Sequence, residues 1–234
     1  VRRTNHSRTS TFKLHVRPLS ERRSRRPSPQ FEFASIVARN ITHLDGTYLR
    51  LAERRRLCRG RYTKSIDLRL ADVRTAAPPA KSRRFDLLVT SPPYGDNKTT
   101  VPYGEYSYLP LLWIPLRDID RTLTPSVLST TCEIDNRGLG GVLTRMKGKP
   151  VQDQSQSPTL NALMRDLSRA NVEAASRVRA FYHDLGLALE AIMVQMRPRA
   201  YMVLIVGNRT VAGRSVPMHQ ILTELLLDRG CSLV

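Results

Sequence analysis

Apolar residues fall into a helical rhythm between residues 31 and 57. Phe31, Phe33, Ile36, Val37, Ile41, Leu44, Leu49 and Leu51 recur at three- and four-residue steps, and the opposite face is rich in arginine. Residues 1–30 show no such rhythm and read as largely irregular. From Ser65 to Thr75 the pattern changes to alternation, with Ile66, Leu68 and Leu70 on one side, which predicts a strand. Pro78 and Pro79 mark a loop. "FDLLVTS", Phe85 to Ser91, predicts a second strand; its unbroken Leu87-Leu88-Val89 run suits a parallel strand covered on both faces. Residues 158–196 carry the longest helical stripe, opened by Pro158 and closed by Pro198. "AYMVLIVGN", Ala200 to Asn208, predicts a third buried strand. A helix then starts near Pro217 and closes at Gly230, and "CSLV" starts a further strand. Strand, helix, strand, helix, strand is the order of an α/β sheet.

The stretch 95–156 fits neither rhythm. It is rich in Gly, Pro, Ser and Thr and reads as an insertion that contacts the target, with a short helix around Leu109–Leu116. Trp113 reads as its core. Gly138, Gly140 and Gly141 read as a flexible loop, and His183-Asp184 as surface. The organisation is thus a basic arm over residues 1–30 and an α/β domain over residues 31–234.

Composition narrows the classes. Of 234 residues, 41% are apolar and 25% charged, enough for a packed core. No apolar run approaches the roughly 18 residues of a membrane span, and the arginine-rich start lacks the apolar stretch of a secretory signal. The three cysteines and five histidines form no CxxC or HxxxH, which argues against a disulfide framework and predicts no metal site. The net charge of +18 is uneven: residues 1–84 hold 22 Lys/Arg against 6 Asp/Glu, and residues 85–234 hold 16 against 14. Such asymmetry points to a polyanion, most often nucleic acid. The bland alternative is a solvated basic tail.

The chemistry lies where the second strand ends, in Ser91-Pro92-Pro93-Tyr94. Ligands of open α/β sheets bind outside the carboxyl ends of strands. Two prolines there fix two φ angles and remove two N–H donors, so the turn presents carbonyl acceptors. Tyr94 adds a flat stacking surface. Acceptors beside a stacking face suit a nucleobase with an exocyclic amine.

"TSPPYGD" after "FDLLV" resembles the catalytic motif of the SAM-dependent amino-methyltransferases of DNA. "SIDLRLADVR", "TTVPYGEYSYLPLLWI" and "YMVLIVGNRTVAGRSVP" extend the likeness over about residues 60–234. The resemblance implies a Rossmann-like fold, present in part, and S-adenosyl-L-methionine (SAM) as methyl donor. It also implies a flipped base in double-stranded DNA, most often cytosine methylated at N4, within restriction–modification. Ser91, Pro92, Pro93 and Tyr94 are then catalytic. Thr90, Asp72, Gly207 and Asn208 border the cofactor, with Asp72 accepting from the adenine amine; alternatively Asp72 caps a strand or pairs with Arg74, and Gly207 and Asn208 only turn the chain. Asp96 and Asn97 brace the turn or cap the next segment. A cytoplasmic, nucleoid-associated protein follows.

The family's glycine-rich loop, Asp-Pro-Phe-x-Gly-x-Gly, and its ribose-binding acid are not found in the sequence. With Val1 at the start and "GCSLV" closing inside an apolar run, the chain reads as a piece of a longer enzyme. A second chain completing the SAM site is the alternative. The rival functions are a non-catalytic basic nucleic-acid-binding protein on a degenerate or truncated methyltransferase fold, and an RNA amino-methyltransferase.

Overall fold

The computed structural model describes residues 17–24, 28–75, 84–94, 103–141 and 156–234. They belong to two compact units that divide between Leu70 and Ala71.

In the first unit, α1 spans Leu19–Ser24 and α2 spans Pro29–Glu53. α2 starts where the sequence supplies a cap and a pre-set φ: the Ser28 side chain accepts from the Phe31 N–H, and Pro29 occupies the first turn. The helical rhythm is therefore real, yet Phe31, Phe33, Ile41, Leu44 and Leu49 are all exposed. A short antiparallel hairpin follows, β1 Leu57–Cys58 and β2 Arg61–Tyr62. The strand expected from Ser65 to Thr75 does not form. Residues 65–70 are irregular, and Ile66, Leu68 and Leu70 lie exposed with no described strand beside them. Alternation alone supplies no partner for a ladder.

In the second unit, β3 (Phe85–Thr90) pairs in parallel with β4 (Met196–Leu204); Leu88 faces Met202, and Thr90 faces Leu204. Between them run α3 (Tyr103–Leu111), α4 (Leu116–Ile119), a 3-10 turn (Pro125–Leu128), α5 (Thr131–Asp135), α6 (Pro158–Ala170) and α7 (Val172–Met193). After β4 come the hairpin β5 (Arg209–Val211) and β6 (Arg214–Val216), then α8 (Met218–Asp228). The chain is mixed α/β with small sheets, which is compatible with the expected methyltransferase fold.

The core is helical. Leu160, Leu167, Val178, Phe181, Leu185, Met218, Ile221 and Leu225 pack together from α6, α7 and α8, with Val211 and Val216 from the hairpin. Met202, Leu204 and Val206 lie against it. Among the described residues the sheet is covered on that side only: Leu87, Val89, Tyr201, Val203 and Ile205 are exposed. This corrects the expectation of a strand buried on both faces. The continuous apolar run gives β3 apolar side chains on each face, but the described helices cover one.

Five further expectations change. The predicted helix over 158–196 is two helices, because Asn171 ends α6 and its side chain accepts from the Ala174 N–H to start α7. Pro198 lies within β4, not after a helix. The helix expected at Leu109–Leu116 runs instead from Tyr103 to Leu111, and Trp113 is 80% exposed, not core. "CSLV" is irregular. Gly230, at φ +80°, follows α8 as expected of a residue that ends a helix.

α6 and α8 are tied by one carboxylate. Glu224 accepts from Ser157 Oγ (2.5 Å), Thr159 Oγ1 (2.5 Å) and the Thr159 N–H (3.1 Å), at the positive end of α6. Partial burial works to raise its pKa, but the bonds from Ser157 and Thr159 outweigh it and hold the carboxyl below its ordinary value of 4.5. A depressed carboxyl pKa contributes stability above the unfolded value, and that contribution is lost as pH falls through the folded value. Melting followed by calorimetry from pH 7 to pH 3 is therefore expected to show a steeper acid loss below about pH 4.5 in the unmodified chain than in Glu224→Gln.

Candidate active site

The carboxyl ends of β3 and β4 lie side by side, and the parallel register puts the proline motif next to the turn after β4. Thr90 closes the ladder: its carbonyl accepts from the Ile205 N–H at 2.9 Å. The chain then leaves the sheet as Ser91-Pro92-Pro93-Tyr94. The Ser91 hydroxyl is 3.0 Å from the Tyr94 hydroxyl, within hydrogen-bonding distance. A hydroxyl carries one donor and two lone pairs, so Ser91 keeps accepting capacity whichever group donates. Among the described residues no N–H or hydroxyl donates to the Pro92 carbonyl.

Tyr94 is half-buried and packs against the helical core. Its ring lies over Gly207: a Cβ added at Gly207 would sit 3.5 Å from both Cδ2 and Cε2. The ring is thus wedged by core apolar groups and by the backbone at the end of β4, and Gly207 is small enough to allow it. Asn208 follows, and its Oδ1 lies 2.8 Å from His219 Nδ1 at the start of α8. His219 had no motif to announce it; only its place in the first turn of a predicted helix was readable.

The structure therefore brings Thr90, Ser91, Pro92, Pro93, Tyr94, Gly207 and Asn208 to one end of one parallel pair. Asp72 belongs to another network. Its carboxylate takes the Arg74 guanidinium (2.6 Å) and the Arg74 N–H (3.0 Å), and Arg74 reaches on to Asp184 at 2.7 Å. Bonding to Asp72, then to Asp184, holds the Arg74 guanidinium above its ordinary pKa despite the opposing effect of partial burial. Asp184 is buried, and its other bond is from the Gly140 N–H at 2.8 Å.

This corrects two expectations. His183 is exposed as read, but Asp184 points inward, because α7 turns opposite faces to solvent and core at neighbouring positions. The glycine run is not a loose loop. Gly140 has φ +71°, and a Cβ there would lie 2.6 Å from Phe181 Cα, so glycine lets this loop close on α7. Asp96 and Asn97 lie outside the described residues.

For a SAM-dependent reaction the fit is uneven. The acceptors and the ring suit the end that receives a target amine. Thr90, Gly207 and Asn208 border it, whereas Asp72 is engaged by Arg74. Among the described residues no cluster of His, Cys, Asp or Glu could hold a metal ion, and no helix is long and apolar enough to cross a membrane.

No family model and no solved structure matches the chain. Over 227 residues, 96% of its length, it is 31% identical to the Type II methyltransferase M.MvaI of Kocuria varians. The chain spans about half of that relative, 47% of its length. This likeness runs through both units of the chain.

Proposed function

We propose that the chain carries the target-amine half of a SAM-dependent DNA methyltransferase acting on the exocyclic amine of a flipped base, most often N4 of cytosine. The observation that carries the reading is the convergence of Ser91, Tyr94 and Gly207 at adjoining strand ends, with the Tyr94 ring fixed over Gly207. Extruding the base costs a few kcal/mol, which stacking on Tyr94 offsets. Ser91 Oγ and the Pro92 carbonyl accept the two amine hydrogens. That draws the nitrogen lone pair out of ring conjugation and directs it outward. SAM, when bound, would supply an electrophilic methyl group, and Thr90, Gly207 and Asn208 are the residues of this chain that would border it. The rate comes from positioning and fixed dipoles, with no covalent intermediate on the chain.

The experiment is methyl transfer from tritium-labelled SAM to mixed-sequence duplex DNA, followed by digestion to nucleosides. N4-methylcytosine is the expected product. N6-methyladenine would keep the reaction and change the base. Because the chain covers half of its relative, SAM binding is measured alongside by calorimetry, with S-adenosylhomocysteine as control. Neither binding nor transfer would overturn the reading for this chain acting alone.

A second reading, a basic nucleic-acid-binding protein without chemistry, is favoured by one observation: Arg74 already engages the carboxylate that the family resemblance assigns to adenine. Under it, DNA is bound and no label is transferred.

A further inference from the structure

The densest run of positive charge among the described residues has an unusual backbone. From Arg50 to Lys64 the chain holds seven Lys/Arg and one carboxylate, Glu53. α2 ends in this run. The Arg55 N–H bonds to the Ala52 carbonyl (2.9 Å) and the Arg56 N–H to the Leu51 carbonyl (2.8 Å). That double bond pattern closes helices through a left-handed residue, ordinarily glycine. Here the left-handed residue is Arg55, at φ +52°. Four residues on, the hairpin turns through Arg59 (φ +50°) and Gly60 (φ +76°). Two positive φ angles in a two-residue loop make a type I′ turn, whose first position ordinarily takes Asn, Asp or Gly.

Arginine therefore stands at two neighbouring positions where a side chain costs stability and glycine does not. Local packing gives no reason for either. Arg54, Arg55, Arg56, Arg59, Arg61 and Lys64 are all exposed, and among the described residues none forms an ion pair. Elsewhere the chain does pair its arginines: Arg69 holds Asp67, Arg197 holds Asp86, and Arg229 holds Glu190. The hairpin is also held in place. The Arg56 carbonyl accepts from the Thr63 N–H at 2.9 Å, and the Tyr48 hydroxyl lies 3.7 Å from where a Gly60 Cβ would be.

We propose that the end of α2 and the β1–β2 hairpin form a phosphate-binding knob for duplex DNA, with Arg55 and Arg59 placed by strained backbone to reach it. The proposal rests on the DNA-binding part of the function above. Unpaired guanidinium groups carried on this constrained backbone neutralise phosphates and release counterions. A two-stranded ribbon enters the B-form major groove, whereas the deep, narrow groove of duplex RNA excludes it.

The test separates charge from folding, because Arg55→Gly/Arg59→Gly removes charge while relieving the backbone. Binding of the full chain to a labelled 20-base-pair duplex is followed by anisotropy between 50 and 200 mM salt. The double variant is expected to melt no lower than the unmodified chain. It binds about tenfold to a hundredfold more weakly at 0.1 M salt, and its salt slope is shallower by about 2. Arg199→Gly is the matched control: Arg199 is likewise left-handed, at φ +64°, but lies in β4, and its substitution leaves the slope unchanged. An unchanged slope in the double variant overturns the proposal. Duplex RNA bound as tightly, with the same loss, overturns the assignment to DNA. Methyl transfer is scored on the same samples. A shallower slope with neither SAM binding nor labelling overturns the enzyme reading for this chain acting alone and keeps the knob; labelling with an unchanged slope does the reverse.

Discussion

Replacing Tyr94 with alanine is expected to lower the rate of methyl transfer by roughly 10³–10⁴-fold while leaving duplex binding within about threefold. Stacking on an aromatic ring is worth about 1–3 kcal/mol per base, and misplacing a reacting group by about an ångström costs on the order of a hundredfold more. Both losses follow from this one side chain, because the ring is also what rests on Gly207. Tyr94→Phe separates them. It keeps the ring and removes the hydroxyl that contacts Ser91, a net change of about 1 kcal/mol for that bond, so its rate is expected to fall no more than about tenfold. Single-turnover labelling reads both variants. If Phe and Ala were equally poor, the hydroxyl would be the working part and stacking would not. If both were as fast as the unmodified chain, Tyr94 would be a packing residue. Size at position 207 gives an independent check. Gly207→Ala places its methyl at ordinary contact distance from the ring and is tolerated, whereas a branched side chain there displaces Tyr94.

The parts of this site that were legible in the sequence are those fixed by local chemistry. Two prolines after an apolar run stop a strand whatever surrounds it, so Ser91–Tyr94 could be placed at a strand end. A parallel sheet was readable from the strand–helix–strand order; that Phe85–Thr90 pairs directly with Met196–Leu204 was shown by the structure. What was not legible depends on partners far away in the chain. The stripe over 158–196 gave no warning of the break at Asn171, because the apolar rhythm continues across it; the signal was an Asn ahead of an acidic first turn, a capping pattern. Ile66, Leu68 and Leu70 alternate well but have nothing described to pair with. Trp113 was read as core from its size, and its exposure shows that bulk alone does not decide burial. Asp184 was the largest miss. A carboxylate beside a histidine in mid-helix reads as surface unless Arg74 and Gly140, 110 and 44 positions before it in the numbering, are known to meet it.

That network predicts the largest stability effect. Asp184→Ala is expected to destabilise the second unit by about 3 kcal/mol, at the low end of what breaking a buried ion pair costs. The low end applies because Arg74 keeps Asp72 as a partner and is not left wholly unpaired. The pair itself is enclosed, with side-chain exposures of 13% for Arg74 and 9% for Asp184, so solvent does little to screen it. The Gly140 N–H loses its acceptor in the same step. For a unit of this size the change lowers the melting temperature by roughly 6–12 °C. An exposed pair sets the scale: Glu173→Ala removes the partner of Arg177 one helical turn away and is expected to cost no more than about 0.5 kcal/mol. Restoring volume without charge, by Arg74→Met with Asp184→Leu, should recover much of the loss, since a buried pair is often matched by apolar groups of similar size. Recovery would mean that the network mainly relieves a buried charge. Failure of the double variant, with Asp184→Ala still costly, would mean that the hydrogen bond to Gly140 is what holds the glycine loop against α7. The methyl-transfer rate of each folded variant then shows whether that loop matters to the site at the ends of β3 and β4 or only to the packing behind it.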